Sequence, residues 1–196
     1  MDLPYLLLGV LAGIFAGIIN IISGSGSAIT LSFLAFLGIP LDIANATNRI
    51  GVFSQGLKGT HSFYSKGELK LNDSWLLISL ITIGAIGGTC TAILISAKQF
   101  NIILGFLFCF LFLILLFEPQ KKIKNLPKFK TVLPWLMIPI GFYGGFIQIA
   151  TGLFILATIQ MVTGKTIREI NPLKVFLILI INVPAIAIFA YHHKIN

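Results

Sequence analysis

The sequence predicts an all-α polytopic membrane protein: two tandem repeats, each a broken helix plus following helices, with about six membrane segments. Three observations predict it. Of 196 residues, 57% are hydrophobic and 10% charged, against about 25% charged in a soluble domain. Too few polar side chains exist to cover a water-facing surface. Several stretches reach the ~18 apolar residues that mark a spanning helix. Part of the chain is also written twice. Gly13 to Gly24, GIFAGIINIISG, returns as Gly141 to Gly152, GFYGGFIQIATG. After a two-residue deletion in the second copy, Gly38 meets Gly164 and Asn45 meets Asn171. A duplicated membrane unit with broken helices is the layout of a secondary transporter, with its site where the copies meet.

Segment one, Leu3 to about Ile22, is apolar and carries Gly9, Gly13 and Gly17 at four-residue spacing, a smooth face for helix packing. Ser23-Gly24-Ser25-Gly26-Ser27 interrupts it, and Ala28 to Ile39 is too short to span. Non-helical backbone at membrane depth is tolerated only when shielded by protein or water. Segment two, Ile43 to about Tyr64, holds Asn45, Thr47, Asn48, Arg49, Ser54, Gln55, Lys58 and His61. By hydropathy alone it is a soluble stretch. Its counterpart in the repeat, Pro172 to Tyr191, is plainly apolar, so segment two belongs in the membrane, packed on that counterpart. At 100° per residue Asn45, Asn48, Arg49 and Gln55 share one face with Gly56 and Gly59, while Ile43, Ile50, Phe53 and Leu57 form another.

Segment three runs from about Trp75 to Ser96. Segment four, Phe100 to Phe117, is rich in Phe and Leu and reads as peripheral. Glu118 to Lys130 is a polar linker with five lysines. Segment five, Val132 to Thr163, repeats segment one, with its break at Thr151-Gly152. Segment six opens on Thr166-Ile167-Arg168-Glu169, the spacing of a capping box. The organisation is therefore a first repeat over 1–117 with four segments, a basic linker over 118–131, and an incomplete second repeat over 132–196 with two. With the N-terminus cytoplasmic, Lys66, Lys70 and the linker lysines fall inside, and Lys98, Lys165 and Arg168 outside. An even number of crossings per copy makes the repeats parallel. A full hairpin at the glycine break changes that count.

A net charge of +8 does not point to nucleic acid, because no stacking aromatics interleave the basic residues and no nucleic-acid motif is present. Cys90 and Cys109 lie in apolar segments with no metal or disulfide spacing. Neither a cofactor nor a metal is expected, His192 and His193 read as solvated interface residues, and no catalytic constellation suggests an enzyme. Arg49 and Lys174 are the intramembrane cations, at near-equivalent positions of the two copies. A charge in hydrocarbon usually serves a pathway or a partner. The bland alternative is snorkelling to the interface. All six acidic residues, Asp2, Asp42, Glu68, Asp73, Glu118 and Glu169, fall at helix ends or in loops. Fixed positive charge without fixed negative charge suits a small anion. The candidate binding residues are Asn20, Ser23, Gly24, Ser25, Gly26, Asn45, Thr47, Asn48, Arg49, Gln55, Gln148, Thr151, Gly152, Asn171 and Lys174. Their amides and hydroxyls donate to an anion's oxygens, and helix breaks add positive dipole ends.

These motifs resemble the TauE/SafE family of sulfite-exporter-like permeases. The residues that carry the resemblance are Gly13-x-x-x-Gly17 running into Ser23-Gly24-Ser25-Gly26, Gly38-Ile39-Pro40, and Ala44-Asn45-Ala46-Thr47-Asn48-Arg49. In the second copy they are Gly141-x-x-Gly144-Gly145, Thr163-Gly164-Lys165 and Asn171-Pro172-Leu173-Lys174-Val175. The resemblance implies two four-helix halves and transport of small, often sulfur-containing anions across a bacterial plasma membrane. It also implies two further helices that this chain lacks. Two functions follow: an anion permease, or a truncated or split, non-transporting subunit. The expected partners are the lipid bilayer, a small anion, and either a homo-oligomer or a partner chain supplying the missing helices.

Overall fold

The computed structural model describes residues 3–72, 74–117 and 131–195. The elements among them are all helical: α1 Leu3–Ile22, α2 Ser27–Phe36, α3 Leu41–Ser65, α4 Trp75–Leu94, α5 Ala97–Phe117, α6 Leu133–Phe146, α7 Thr151–Thr163 and α8 Ile167–Tyr191. By length and composition, α4 and α8 suffice to cross a membrane. The basic linker at 118–130 lies outside the described residues.

Both breaks are hairpins. The ten residues of α2 reach only about 15 Å, half a hydrocarbon core of about 30 Å, and they run back along α1. Gly26 abuts the backbone of Ala16 and Asn20, and Gly9 sits beside the Phe33 ring. Gly24, at φ +80, makes the turn, and the Ser23 hydroxyl donates to the Ile19 carbonyl. In the second copy α6 and α7 fold back likewise. Tyr143 Oη donates to the Ile149 carbonyl at 2.6 Å and its ring meets Phe154 edge-on. The interruption falls at residues 147–150, with Ala150 at φ 58. The break therefore falls one turn before Thr151-Gly152, where it was expected, and those two residues open α7 instead.

A hairpin that enters and leaves by one face adds no crossing, and this reverses the expected sense of the copies. The matched helices α3 and α8 run antiparallel. Gly56 lies against Leu179 and Gly59 against Val175, while Asp42 at the start of α3 pairs with Lys194 just past α8 at 2.9 Å. The parallel arrangement does not hold. The loop after α3 and the start of α8 share one face, where Lys70, Lys165 and Arg168 line an open cavity of about 700 Å³. The sequence reading had set those residues on opposite faces. This is called the linker face below, and the other the N-terminal face.

Two apolar clusters hold the bundle together. One joins α4, α6, α7 and α8 through Ile81, Ala85, Met137, Ile155, Leu177 and Ile181. There α4 and α6 touch backbone to backbone at Gly84, Gly88, Gly141 and Gly145, the close approach small residues permit in membranes. The other joins Leu31, Ala44, Phe100, Leu104, Phe146 and Phe189. Within its described side chains α5 is peripheral, with Phe106 75% exposed. Helix α3 is inside out: Asn45, Asn48 and Arg49 are buried, whereas Ile50 and Leu57 face outward.

Candidate functional site

Each hairpin ends inside the protein, where the last carbonyls of its first helix have no intrahelical partner and carry the negative end of the helix dipole. The other copy supplies a cation to each. Arg49 Nη2 donates to the Gly145 carbonyl at 2.7 Å and Asn45 Nδ2 to the Phe146 carbonyl at 3.0 Å, closing the end of α6. Lys174 Nζ donates to the carbonyls of Asn20 at 3.1 Å and Ile21 at 2.8 Å, closing the end of α1. Both cations are fully buried. The hairpin tips meet in the middle, where Gly24 and Gly152 pack so closely that a Cβ on either would strike the other's backbone. The aliphatic stem of Lys174 lies against Gly152.

The site residues fall into two groups. Around the α6 tip are Asn45, Asn48, Arg49, Gln148 and Thr151. Thr30 donates to Asn48 Oδ1, and Thr151 Oγ1 donates to the Gln148 carbonyl. Gln148 Nε2 donates to Asn182 Oδ1 at 2.9 Å. Around the α1 tip are Asn20, Gln55 and Lys174. Asn20 Nδ2 donates to Gln55 Oε1 at 3.2 Å beside a cavity of about 10 Å³, room for about one water. Ser23 and Ser25 share a hydroxyl hydrogen bond within the α1–α2 turn, where Gly26 lies against α1. Thr47 is half-buried on α3, and so is Asn171 on α8.

The structure does not bring Arg49 and Lys174 together. Arg49 stacks over Phe189, 5.1 Å from the ring centroid, and Phe189 lies about 22 Å along α8 from Lys174. The two cations are separated, one at each tip. Sequence reasoning missed Asn182, Thr89 and Phe189. Thr89 Oγ1 also donates to the Gly145 carbonyl, at 3.0 Å. Asn182 carried a signal, an amide in an otherwise apolar stretch; Thr89 and Phe189 carried none.

Several buried polar atoms have no hydrogen-bond partner, among them Ser27 Oγ beside the α1 tip, Arg49 Nε and Nη1, Gln148 Oε1 and Asn171 Oδ1. Arg49 thus holds two buried donor nitrogens without a protein acceptor. Among the described residues no buried carboxylate balances it, and no group of His, Cys, Asp and Glu is placed to hold a metal.

Comparisons with known proteins agree with this architecture. The profile of the family described as "Sulfite exporter TauE/SafE" matches residues 9–196. A protein of Haemophilus influenzae named "Probable membrane transporter protein" is 30% identical over 78% of this chain and 62% of its own length. A Sinorhizobium relative, "Probable membrane transporter protein ORF9", is 27% identical over 97% of this chain and 75% of its own length. "Probable membrane transporter protein YfcA" of Escherichia coli K12 is 29% identical over 76% of this chain and 57% of its own length. The chain thus spans between about half and three quarters of the curated relatives it matches. No solved structure matches it. With its profile match over nearly the whole sequence and its buried, polar-lined helix breaks, the chain is a membrane protein that belongs to the sulfite exporter TauE/SafE family.

Proposed function

We propose that the chain forms the core of a bacterial plasma-membrane transporter for small anions, sulfur oxyanions and organosulfonates among them, with its site at the hairpin tips between the two repeats. One observation carries this reading. Arg49, fully buried, spends one nitrogen on the Gly145 carbonyl and holds Nε and Nη1 unpaired. An unpaired buried donor costs about 1–3 kcal/mol, more when charged, so the arrangement favours an occupant whose oxygens accept from the guanidinium. An oxyanion makes the stronger, charge-assisted bond there. Asn45, Asn48 and Gln148 stand beside it and add dipoles without adding charge. The chain itself is not an enzyme on this reading, and it needs no cofactor.

The inverted sense of the copies suits alternating access, in which one repeat rocks against the other around a fixed site. It also revises the orientation. Lys66, Lys70, Lys165 and Arg168 belong to one face, and Lys98 and Lys194 to the other. The positive-inside rule then sets the linker face in the cytoplasm and the N-terminus outside.

The test is flux in proteoliposomes with sulfite, sulfate, taurine and acetate as probes. Arg49→Gln lowers transport of the best probe by on the order of tenfold or more, from a lost charged hydrogen bond of about 1.5–3 kcal/mol. Arg49→Lys keeps the charge without the planar fork and falls between. Unchanged flux in a folded Arg49→Gln protein removes Arg49 from the site.

A further inference from the structure

We infer that the open cavity on the linker face is a binding site for the phosphate of a phospholipid headgroup. The cavity shares no lining residue with the anion site proposed above, so its occupant and the transported anion are separate questions.

Its volume, about 700 Å³, is that of a small-molecule site, commonly about 300–1,000 Å³. Three cations line it, and they come from two places. Lys70 sits in the loop between α3 and α4, and Lys165 and Arg168 bracket the start of α8. Glu68 and Glu169 line it as well. Glu169 is committed to the helix cap: its Oε2 accepts from the Thr166 amide at 2.8 Å and from the Thr166 hydroxyl at 2.7 Å. Glu68 is left to accept from a donor on the headgroup, a glycerol hydroxyl or an ammonium. Helices α4 and α8 both start here, so their positive dipole ends add to the charge.

Ser74 gives the cavity a buried donor. It is 6% exposed, stands at the N-cap of α4 and lines the cavity. A serine at that position ordinarily accepts from the amides of its own helix. This one has helical backbone, at φ −96 and ψ −4, and its side chain makes no cap hydrogen bond. It has no other side-chain partner among the described residues. A buried hydroxyl without a partner is costly, and a phosphate oxygen supplies the acceptor.

The level of the cavity in the bilayer selects a lipid. Helices α4 and α6 run parallel, since Gly84 meets Ile138 and Gly88 meets Phe142, so both start on the linker face. Trp75 and Trp135, the two tryptophans of the chain, stand in those first turns and are 69% and 61% exposed. Tyr64, at the end of α3 on the same face, is 68% exposed. Exposed Trp and Tyr mark the headgroup level, and Trp75 adjoins Ser74 in the chain. Pro172 and Leu173 give the cavity an apolar side. Basic pockets between membrane helices at that level take phosphorylated headgroups. A phosphate seated here bridges the loop after α3 to the start of α8, one from each copy.

The experiment follows the thermal unfolding midpoint of the full chain, purified in detergent, against added dioleoylphosphatidylglycerol. Dioleoylglycerol, which has the same tails without the phosphate, and inorganic phosphate are the comparison probes. Only the phospholipid is expected to raise the midpoint, by binding the folded state. Lys70→Gln, Lys165→Gln and Arg168→Gln, all at exposed side chains, should each raise the lipid concentration needed for half the effect about fivefold, the contribution of one basic residue at a membrane surface. Ser74→Ala should raise it by a similar factor with no change of charge. Lys98→Gln, on the opposite face, should leave it unchanged. Equal responses of wild type and the Lys70→Gln and Arg168→Gln proteins overturn the proposal, and so does an equal response to dioleoylglycerol. A Ser74→Ala protein that responds as wild type does the same, because it leaves only a charged surface. An equal rise with inorganic phosphate makes the ligand a soluble phosphate and overturns the lipid assignment.

Discussion

At the scale of single residues, the glycines separate by what lies across from them. Gly24 has φ +80 and touches the Gly152 backbone. Gly24→Ala therefore meets left-handed strain of about 1–2 kcal/mol and overpacking of about 1–3 kcal/mol. Thermal unfolding in detergent should show a clear drop in midpoint. Gly13→Ala, on an open helix face, should hold or raise the midpoint, because alanine favours the helix by about 1 kcal/mol. Equal losses at both positions would mean that the tip contact does not constrain Gly24. Lys174 makes a second case. Lys174→Met keeps the stem that packs on Gly152 and deletes the ammonium, leaving the Asn20 and Ile21 carbonyls without their donor. About 1–3 kcal/mol should be lost, and Asn20→Ala should not repair it, since the carbonyls belong to the backbone. A midpoint equal to wild type would show that water replaces the ammonium there.

At the scale of elements, the capping box at the start of α8 is complete: Thr166 Oγ1 accepts from the Glu169 amide, and Glu169 Oε2 accepts from the Thr166 amide at 2.8 Å. Thr166→Ala should cost about 1 kcal/mol, within the 0.5–2 range for an N-cap, read as a lower unfolding midpoint, with Thr166→Ser close to wild type. That start was legible because a cap is written in four adjacent residues. The helix α3 was legible despite its polarity, because its buried face of Asn45, Asn48 and Arg49 and its outer Ile50 and Leu57 follow the helical period. The hairpins were not. Ser23 to Ser27 reads the same for a kink as for a reversal, and what decides is the partner across the turn, Gly152, which lies 128 residues away. Arg49 and Lys174 were legible as buried cations for the same local reason that α3 was. Their separation was not legible, because near-equivalent positions in two copies coincide only if the copies are parallel.

At the scale of the whole molecule, the two hairpins reverse the sense of the copies and gather the basic loops on one face. Under six simple crossings, Lys66 and Lys70 lie opposite Lys165 and Arg168, and the charge bias across the membrane is moderate. With hairpins, Lys98 and Lys194 are left on the N-terminal face, and Lys66, Lys70, Lys165 and Arg168 lie on the other. Basic loops stay cytoplasmic, so Lys98 should be outside and Lys165 inside. Both side chains are exposed, which makes them reporters that disturb no packing. In a background with Cys90→Ser and Cys109→Ser, Lys98→Cys in intact bacterial cells should react with a membrane-impermeant maleimide. Lys70→Cys and Lys165→Cys should react only after the cells are permeabilised. The pairing of the last two tests the fold, and their side tests the orientation. If Lys70→Cys and Lys165→Cys label from opposite sides, at least one break is a through-going kink and the antiparallel packing of α3 on α8 fails with it. If they label together from outside, the hairpins stand and the orientation is reversed. Arg49 would then lie toward the cytoplasmic half and Lys174 toward the outer half, and the first cation met by an anion leaving the cell would be Arg49.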